Sequence, residues 1–373
     1  MTRVVISGSG LWTPEQSVTN EELVASYNEY VDLFNQENAD AIAAGSVAEK
    51  PYSSAEFIAK ASGIKSRYVY AKEGMLDPKR MCPMISERGD EEVSQQAEIA
   101  IYAARDAMAS ANKSAADIDA VIVSCAYTQR AYPAIAIEVQ EQLGIEGFGF
   151  DMLVACSAGT FALHRAYEMV KAGTARSVLV INPELTTPQI NLCDRDSHFI
   201  FGDVATAMIV ESVETTQSSD NFEVLSTSAL TKFSSNIRSN FGYVSRAQDV
   251  DPFGADKLFH QEGRKVFKEV CPMAAAHISE HIAQHQLGAA DVKRWWLHQA
   301  NINMNVLIAK KILGRDPNIT EAPIVLDRYA NTASAGSLIA FNLYHDDFEA
   351  GDYGLLCSFG AGYSIGSLVL QKL

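Results

Sequence analysis

Four short segments carry side chains suited to nucleophilic chemistry. In Gly149-Phe-Asp-Met-Leu-Val-Ala-Cys156-Ser-Ala-Gly an apolar strand runs straight into a thiol, and a long helix follows. A cysteine at a helix N-terminus faces free N–H groups and the positive end of the dipole, which favour the reactive thiolate. Ser157, Ala158 and Gly159 are small, so a substrate can approach the backbone. The plainer alternative is a buried structural cysteine, the commoner fate of this residue type and the one expected for Cys125, Cys193 and Cys357. In Trp295-Trp-Leu-His298-Gln-Ala-Asn301 a strand again ends in a polar residue at the start of a helix. Standing alone, His298 reads equally well as a satisfied core histidine. Asn331, in Asp-Arg-Tyr-Ala-Asn331-Thr-Ala-Ser-Ala-Gly336, precedes a small-residue helix start and alone would be an N-cap. Phe359-Gly-Ala361-Gly362 is a turn able to aim N–H groups into a site, or simply a turn.

The elements around these segments alternate. Ala120–Cys125, Ser177–Asn182 and Gly354–Ser358 are nearly continuous apolar runs, which predicts strands covered on both faces. Helices are predicted over 94–111, 158–172 and 265–286, giving an α/β architecture. Three signals recur in the same order. Ala115-Ala-Asp-Ile-Asp echoes Ala289-Ala-Asp-Val-Lys; Ala172-Gly173 and Ala350-Gly351 each precede a strand; Phe201-Gly and Phe359-Gly each open the closing strand. The chain is therefore expected to consist of two duplicated halves, 1–212 carrying Cys156 and 213–373 carrying His298 and Asn331, joined by the polar stretch 214–221. Residues 26–56 show little period, and 232–258 hold Ser, Asn, Gly and Asp clusters. Both read as insertions, the kind of loop that forms or covers binding sites.

Together these residues resemble β-ketoacyl-acyl-carrier-protein synthase III, a branch of the thiolase superfamily, almost end to end. Ala155-Cys156, His298-Gln-Ala-Asn301, Asn331-Thr and Phe359-Gly-Ala-Gly carry the resemblance. It implies a thiolase-like fold, two α/β halves stacked as an α-β-α-β-α sandwich. It also implies a Cys156–His298–Asn331 triad: the thiol takes an acyl group from a thioester, and the other two stabilise the enolate formed when a malonyl thioester loses carbon dioxide. N–H groups of Cys156, Ala361 and Gly362 would form the oxyanion hole. Phe57 stands where the family has a tryptophan against the adenine of coenzyme A, Arg195 where an arginine stacks on the other side, and Ala61 where an arginine is common. Tyr132 matches the aromatic that closes the acyl pocket of the other subunit of a homodimer, and Phe267 is carried over as substrate-binding. Arg264, Lys265, Lys268, Lys310 and Lys311 match the basic residues that receive the acidic carrier protein; solvated helix faces are the plain alternative. Acyl-CoA and malonyl-acyl carrier protein are the expected partners, in fatty acid synthesis, with no metal or organic cofactor. The insert and the altered coenzyme A positions point to a primer longer than acetyl, such as octanoyl. Acyl transfer to an alcohol or amine, and a catalytically silent acyl-binding scaffold, are the competing functions; an unchanged Asn331 speaks against the first and the full Cys, His and Asn set against the second.

Composition narrows the field. A formal net charge of -16 disfavours nucleic acid or anionic membrane as partners, since phosphate binding needs concentrated Lys and Arg. The start Met1-Thr-Arg-Val-Val-Ile-Ser-Gly lacks the layout of a signal peptide, no stretch is apolar enough to cross a membrane, and six scattered cysteines without a CxxC pair fit a reducing cytoplasm. Gly8-Ser-Gly10 follows a strand but lacks the later glycine of a dinucleotide fingerprint. His277, His281 and His285 share a helix face without a carboxylate or cysteine beside them, so a solvated face is expected rather than a metal site.

Overall fold

The computed structural model describes residues 2–373. Aliphatic and β-branched runs become β1 (Val4–Trp12), β2 (Ala120–Cys125), β3 (Phe148–Leu153), β4 (Ser177–Glu184), β5 (Val204–Ser212), β6 (Phe222–Ser234), β7 (Val292–Leu297), β8 (Tyr353–Gly360) and β9 (Gly362–Lys372). They form one nine-stranded sheet in the order β7-β8-β9-β6-β1-β5-β4-β2-β3. β2, β4 and β5 are buried along their whole length, as strands covered on both faces must be.

The topology repeats. β2 runs parallel to β4, β4 antiparallel to β5, and β5 antiparallel to β1. β7, β8, β9 and β6 repeat that pattern in the same order. The two half-sheets join where Val5 and Ile6 of β1 pair with Glu223 and Phe222 of β6. The echoed Ala-Ala-Asp segments are both single 3-10 turns, Ala115–Asp117 and Ala289–Asp291, each leading into a strand.

The helices used below are α1 (Asn20–Glu37), α2 (Ala55–Ser62), α3 (Gln95–Ser110), α4 (Ile135–Leu143), α5 (Ala158–Lys171), α6 (Gly263–Ala283), α7 (Ile302–Leu313) and α8 (Gly336–Leu343). α5 and α8 lie between the half-sheets, where Leu163 and Leu338 meet Val180 and Leu356. α3 and α4 cover one outer face through residues such as Ile99 and Val139. α6 and α7 cover the other through Ile278 and Ile308. The layers are thus α-β-α-β-α, as the resemblance implied. A fourth apolar cluster lies beneath α1 and α2.

Two expectations change. Residues 26–56 are not period-poor loop at their start: α1 runs through 20–37, buries Leu23, Tyr27 and Val31 at i, i+4, i+8, and opens on a capping box between Thr19 and Glu22. The three histidines are not a solvated face either. His277 Nε2 and His281 Nδ1 contact Ser367 Oγ at 2.9 and 2.7 Å, and His281 Nε2 and His285 Nε2 contact Ser226 Oγ at 2.8 and 2.5 Å. His281 is 1% exposed. Serine hydroxyls from β6 and β9 satisfy the rings, so burial needs neither metal nor charge. The glycines of Gly8-Ser-Gly10 serve packing: added Cβ atoms would lie 2.6 Å from Ala107 O and 2.2 Å from Ala103 O on α3.

Candidate active site

β3 ends at Leu153, and the chain turns through Ala155 at φ +44 before the 3-10 turn Ala155–Ser157 enters α5. That left-handed conformation costs a residue with a Cβ about 1–2 kcal/mol. It folds the backbone sharply enough to leave Cys156 at the head of α5. The Phe359–Gly362 turn packs directly on the cysteine: a Cβ at Gly360 would lie 2.5 Å from Cys156 Cβ and 3.1 Å from Sγ. Ser157 fastens the two segments, donating to Ser364 O (3.0 Å) and lying 2.9 Å from Ser364 Oγ.

His298 is the first residue beyond β7. Its N–H donates to Cys357 O (2.8 Å), which continues the β7–β8 pairing, and its ring stands edge-on to Phe359 at 5.2 Å. The ring is buried, and Nδ1 has no hydrogen-bond partner among the described residues. The neighbouring Gln299 fixes the approach to Asn331, its Oε1 accepting from the N–H groups of Val325 (3.0 Å) and Leu326 (3.3 Å). Asn331 itself donates its N–H to Ile200 O (2.9 Å). Its Oδ1 accepts from Ala333 N–H (2.9 Å), which orients the amide and leaves Nδ2 as a donor.

Cys156, His298 and Asn331 all line one cavity of about 1120 Å³, together with Phe359 and Gly360. Apolar side chains including Ile64, Phe199, Phe259, Val270 and Met304 line the same cavity. Burial pushes the His298 imidazole down to about 3, so the ring is neutral. Burial, with the charge of Glu184 second, pushes the Cys156 thiol up to about 12, while the N–H groups of Ala361 and of Cys156 itself pull it down. The N–H groups at the helix start thus favour the thiolate, while burial opposes it more strongly. Desolvation disfavours the charged form of both groups, which holds them as neutral thiol and neutral imidazole.

A buried carboxylate that the sequence did not flag ties the halves together here. Glu184, at the end of β4, accepts from the N–H and hydroxyl of Ser334 and from Ala126 N–H (3.1 Å). Ser334 lies three residues beyond Asn331, so this carboxylate anchors the carboxamide loop to the nucleophile's half. Burial raises Glu184 to about 7. Its signal, an acid ending an otherwise apolar strand, is weak without the tertiary contacts.

The remaining expected residues spread along and beyond the cavity. Phe57, Phe267 and Arg264 line it. Arg195 does not flank an open slot: its Cζ lies 3.8 Å from the centroid of the Phe57 ring, and its Nε donates to Tyr52 O (2.8 Å). Ala361 reaches the cysteine through its N–H, whereas Gly362 pairs with Ser234 outside the lining. Tyr132 is 78% exposed and outside the cavity of its own chain. Lys265 pairs with Glu262 and Lys310 with Asp316, while Arg264, Lys268 and Lys311 stand exposed on α6 and α7. Cys193, expected in the core, is half-buried and lines the cavity because the inserted segment packs beside it. Tyr30, Phe34 and Lys50 of segment 26–56, and Ile237, Arg238 and Asn240 of segment 232–258, line it too. Among the described residues no cluster of His, Cys, Asp or Glu is placed to hold a metal ion, and no helix is long and apolar enough to cross a membrane.

Residues 150–229 match the family model of 3-oxoacyl-[acyl-carrier-protein (ACP)] synthase III, and residues 282–372 match that of its C-terminal part. A beta-ketodecanoyl-[acyl-carrier-protein] synthase of Pseudomonas aeruginosa is 55% identical over 347 residues, covering 93% of this chain and 99% of the relative. A beta-ketoacyl-[acyl-carrier-protein] synthase III of Hyphomonas neptunium is 30% identical, covering 99% of both chains. The crystal structure of the priming beta-ketosynthase from the R1128 polyketide biosynthetic pathway superposes with a TM-score of 0.77 at 23% identity, covering 99% of this chain and 96% of that one, a likeness of fold.

Proposed function

That this chain belongs to the β-ketoacyl-acyl-carrier-protein synthase III family, and is a condensing acyltransferase, is the premise from which we propose its reaction in detail. An acyl-CoA passes its acyl group to Cys156 Sγ and leaves as free coenzyme A. Malonyl-acyl carrier protein then loses carbon dioxide, and its enolate carbon attacks the acyl-cysteine. A β-ketoacyl carrier protein forms and the thiol is released. His298 and Asn331 Nδ2 donate to the enolate oxygen; two neutral donors in a desolvated site stabilise a charge that a carboxylate would repel. The N–H groups of Cys156 and Ala361 hold the acyl oxygen during transfer. Neutral groups suit this division: as the Cys156 sulfur takes the acyl group, its proton passes to the departing coenzyme A sulfur, so no charge is left in the site after acylation. No step requires a metal or organic cofactor.

The primer we propose is octanoyl-CoA. The observation that carries it is the 55% identity to a synthase named for a β-ketodecanoyl product. Malonyl condensation adds two carbons, so a ten-carbon product needs an eight-carbon primer. The apolar lining around Cys156 supports an alkyl chain. We place the reaction in cytoplasmic fatty acid synthesis, in a homodimer. β3, at one end of the sheet order, is an edge strand with Phe148 and Leu153 exposed, an edge suited to pairing with a second copy. Tyr132 precedes Ile135 and Ala136, whose N–H groups donate to Asp151 of β3, so it projects beside that edge.

Intact-protein mass after mixing with acyl-CoAs tests the primer and the nucleophile together. Octanoyl-CoA should give a single octanoyl adduct, absent in Cys156→Ala, and should outpace acetyl-CoA by about tenfold or more. Equal or faster acetylation would overturn the primer; an adduct that survives Cys156→Ala would overturn the nucleophile.

A further inference from the structure

Lys50 is the basic side chain that the inserted segment 26–56 brings to the cavity wall. Its backbone is held from both sides by Asn35: Lys50 N–H donates to Asn35 Oδ1 (2.9 Å), and Asn35 Nδ2 donates to Lys50 O (3.1 Å). The ammonium lies over the rings of Phe34 (4.7 Å to the centroid) and Tyr30 (5.5 Å), and donates to Cys193 O (3.3 Å). An ammonium has three donors, so one is used and the others remain. No carboxylate pairs with it among the described residues, in a chain with 46 acidic and 30 basic residues. The cavity's own carboxylates are engaged elsewhere: Asp256 with Lys257, Asp194 with Ser197, and Asp196 with Arg195. Two other cations of the lining, Arg238 and Arg264, likewise make no ion pair among the described residues.

The neighbouring contact sharpens the point. Tyr52 O holds Arg195 against Phe57, closing by direct stacking the space that a purine between them would need. This end of the cavity thus presents the Lys50 ammonium beside a closed Arg195–Phe57 stack.

We propose that Lys50 binds a phosphoryl group of the acyl-CoA primer, a contact supplied by the inserted segment. Resting on the acyl-CoA reading above, it makes the segment a binding element for the primer's charged end rather than for its acyl chain.

The test compares substrates with and without phosphates. KM and kcat are measured for octanoyl-CoA and for octanoyl-pantetheine with the wild type, Lys50→Met, which keeps the stem over the aromatic rings, and Lys50→Arg. Losing a charge-assisted hydrogen bond should raise the octanoyl-CoA KM about tenfold in Lys50→Met, leave kcat unchanged and leave octanoyl-pantetheine within about twofold. Lys50→Arg should restore most of the loss. If both substrates weaken together, or neither does, Lys50 does not bind phosphate. A rise confined to the KM of malonyl-acyl carrier protein would assign Lys50 to the carrier's phosphopantetheine and overturn the assignment to coenzyme A. Should the wild type prefer another chain length, the octanoyl reading falls, and the same comparison is made with that chain.

Discussion

At the scale of single residues, the resting protonation of Cys156 and His298 shapes what the site does. Burial pushes the Cys156 thiol up to about 12 and the His298 imidazole down to about 3, which opposes an ion pair between them. Alkylation of Cys156 by iodoacetamide should therefore keep rising with pH through about 9, above the ordinary thiol range. A plateau near pH 7 would show a thiolate–imidazolium pair instead. The two half-reactions should separate by residue. His298→Ala and Asn331→Ala should each still form the acyl adduct but slow condensation by about 10²–10³, measured as carbon dioxide released from malonyl carrier protein by the pre-acylated enzyme. Gly360→Ala places a Cβ 2.5 Å from Cys156 Cβ, so the turn must shift, and acylation itself should fall. In the sequence Cys156 and His298 each follow a strand, whereas Asn331 follows the short helix Leu326–Tyr329; that all three line one cavity is visible only in the fold. Glu184 was not legible in the sequence, because its role exists only once Ser334 is brought to it across the two halves.

Among the elements, buried imidazoles set the response to acid. Burial lowers His298 to about 3 and both His198 and His281 to about 4. Below the ordinary value of 6.5 the unfolded chain binds protons that the folded chain refuses, so stability falls as pH drops from 6.5 towards 4. Each such histidine contributes a slope of about 1.4 kcal/mol per pH unit within that window, readable as the shift of a urea midpoint. Glu184, raised to about 7, acts in the opposite direction over the same window, so a midpoint that rises as pH falls from 6.5 to 4.5 would contradict the burial of these rings. α1 shows why part of the fold was hidden. Its buried stripe of Leu23, Tyr27 and Val31 is diluted by the polar Asn20 and Ser26, which are buried with it, whereas Thr19 and Glu22 carry the start signal in plain view. The histidine face of α6 misled for a related reason: a sequence shows the polar rings but not the serines of β6 and β9 that satisfy them.

For the whole molecule, the sum of charges and the sheet's open edge make separate demands. Against a net charge of -16, Arg264, Lys268 and Lys311 are exposed on α6 and α7, and only Arg264 of the three lines the cavity. If an acidic carrier docks there, Lys268→Glu with Lys311→Glu should raise the KM for malonyl carrier protein about tenfold at low salt, less at about 0.5 M, and leave acylation by octanoyl-CoA unchanged. The echoed Ala-Ala-Asp segments each lead into a strand at matching places in the two runs, β2 and β7, while the order of the strands in the sheet has no counterpart in the sequence. The closure of Arg195 on Phe57 was not readable there either, since it depends on Tyr52 of the insert. The proposed reaction requires one chain to load an acyl group on Cys156 and condense it under His298 and Asn331. The most direct measurement offers the enzyme malonyl carrier protein with equal concentrations of acetyl-, butyryl-, hexanoyl-, octanoyl- and decanoyl-CoA, and weighs the elongated carrier protein. β-Ketodecanoyl carrier protein should dominate the products; dominance of the four-carbon product, or acylated enzyme with no elongated carrier at all, would contradict it.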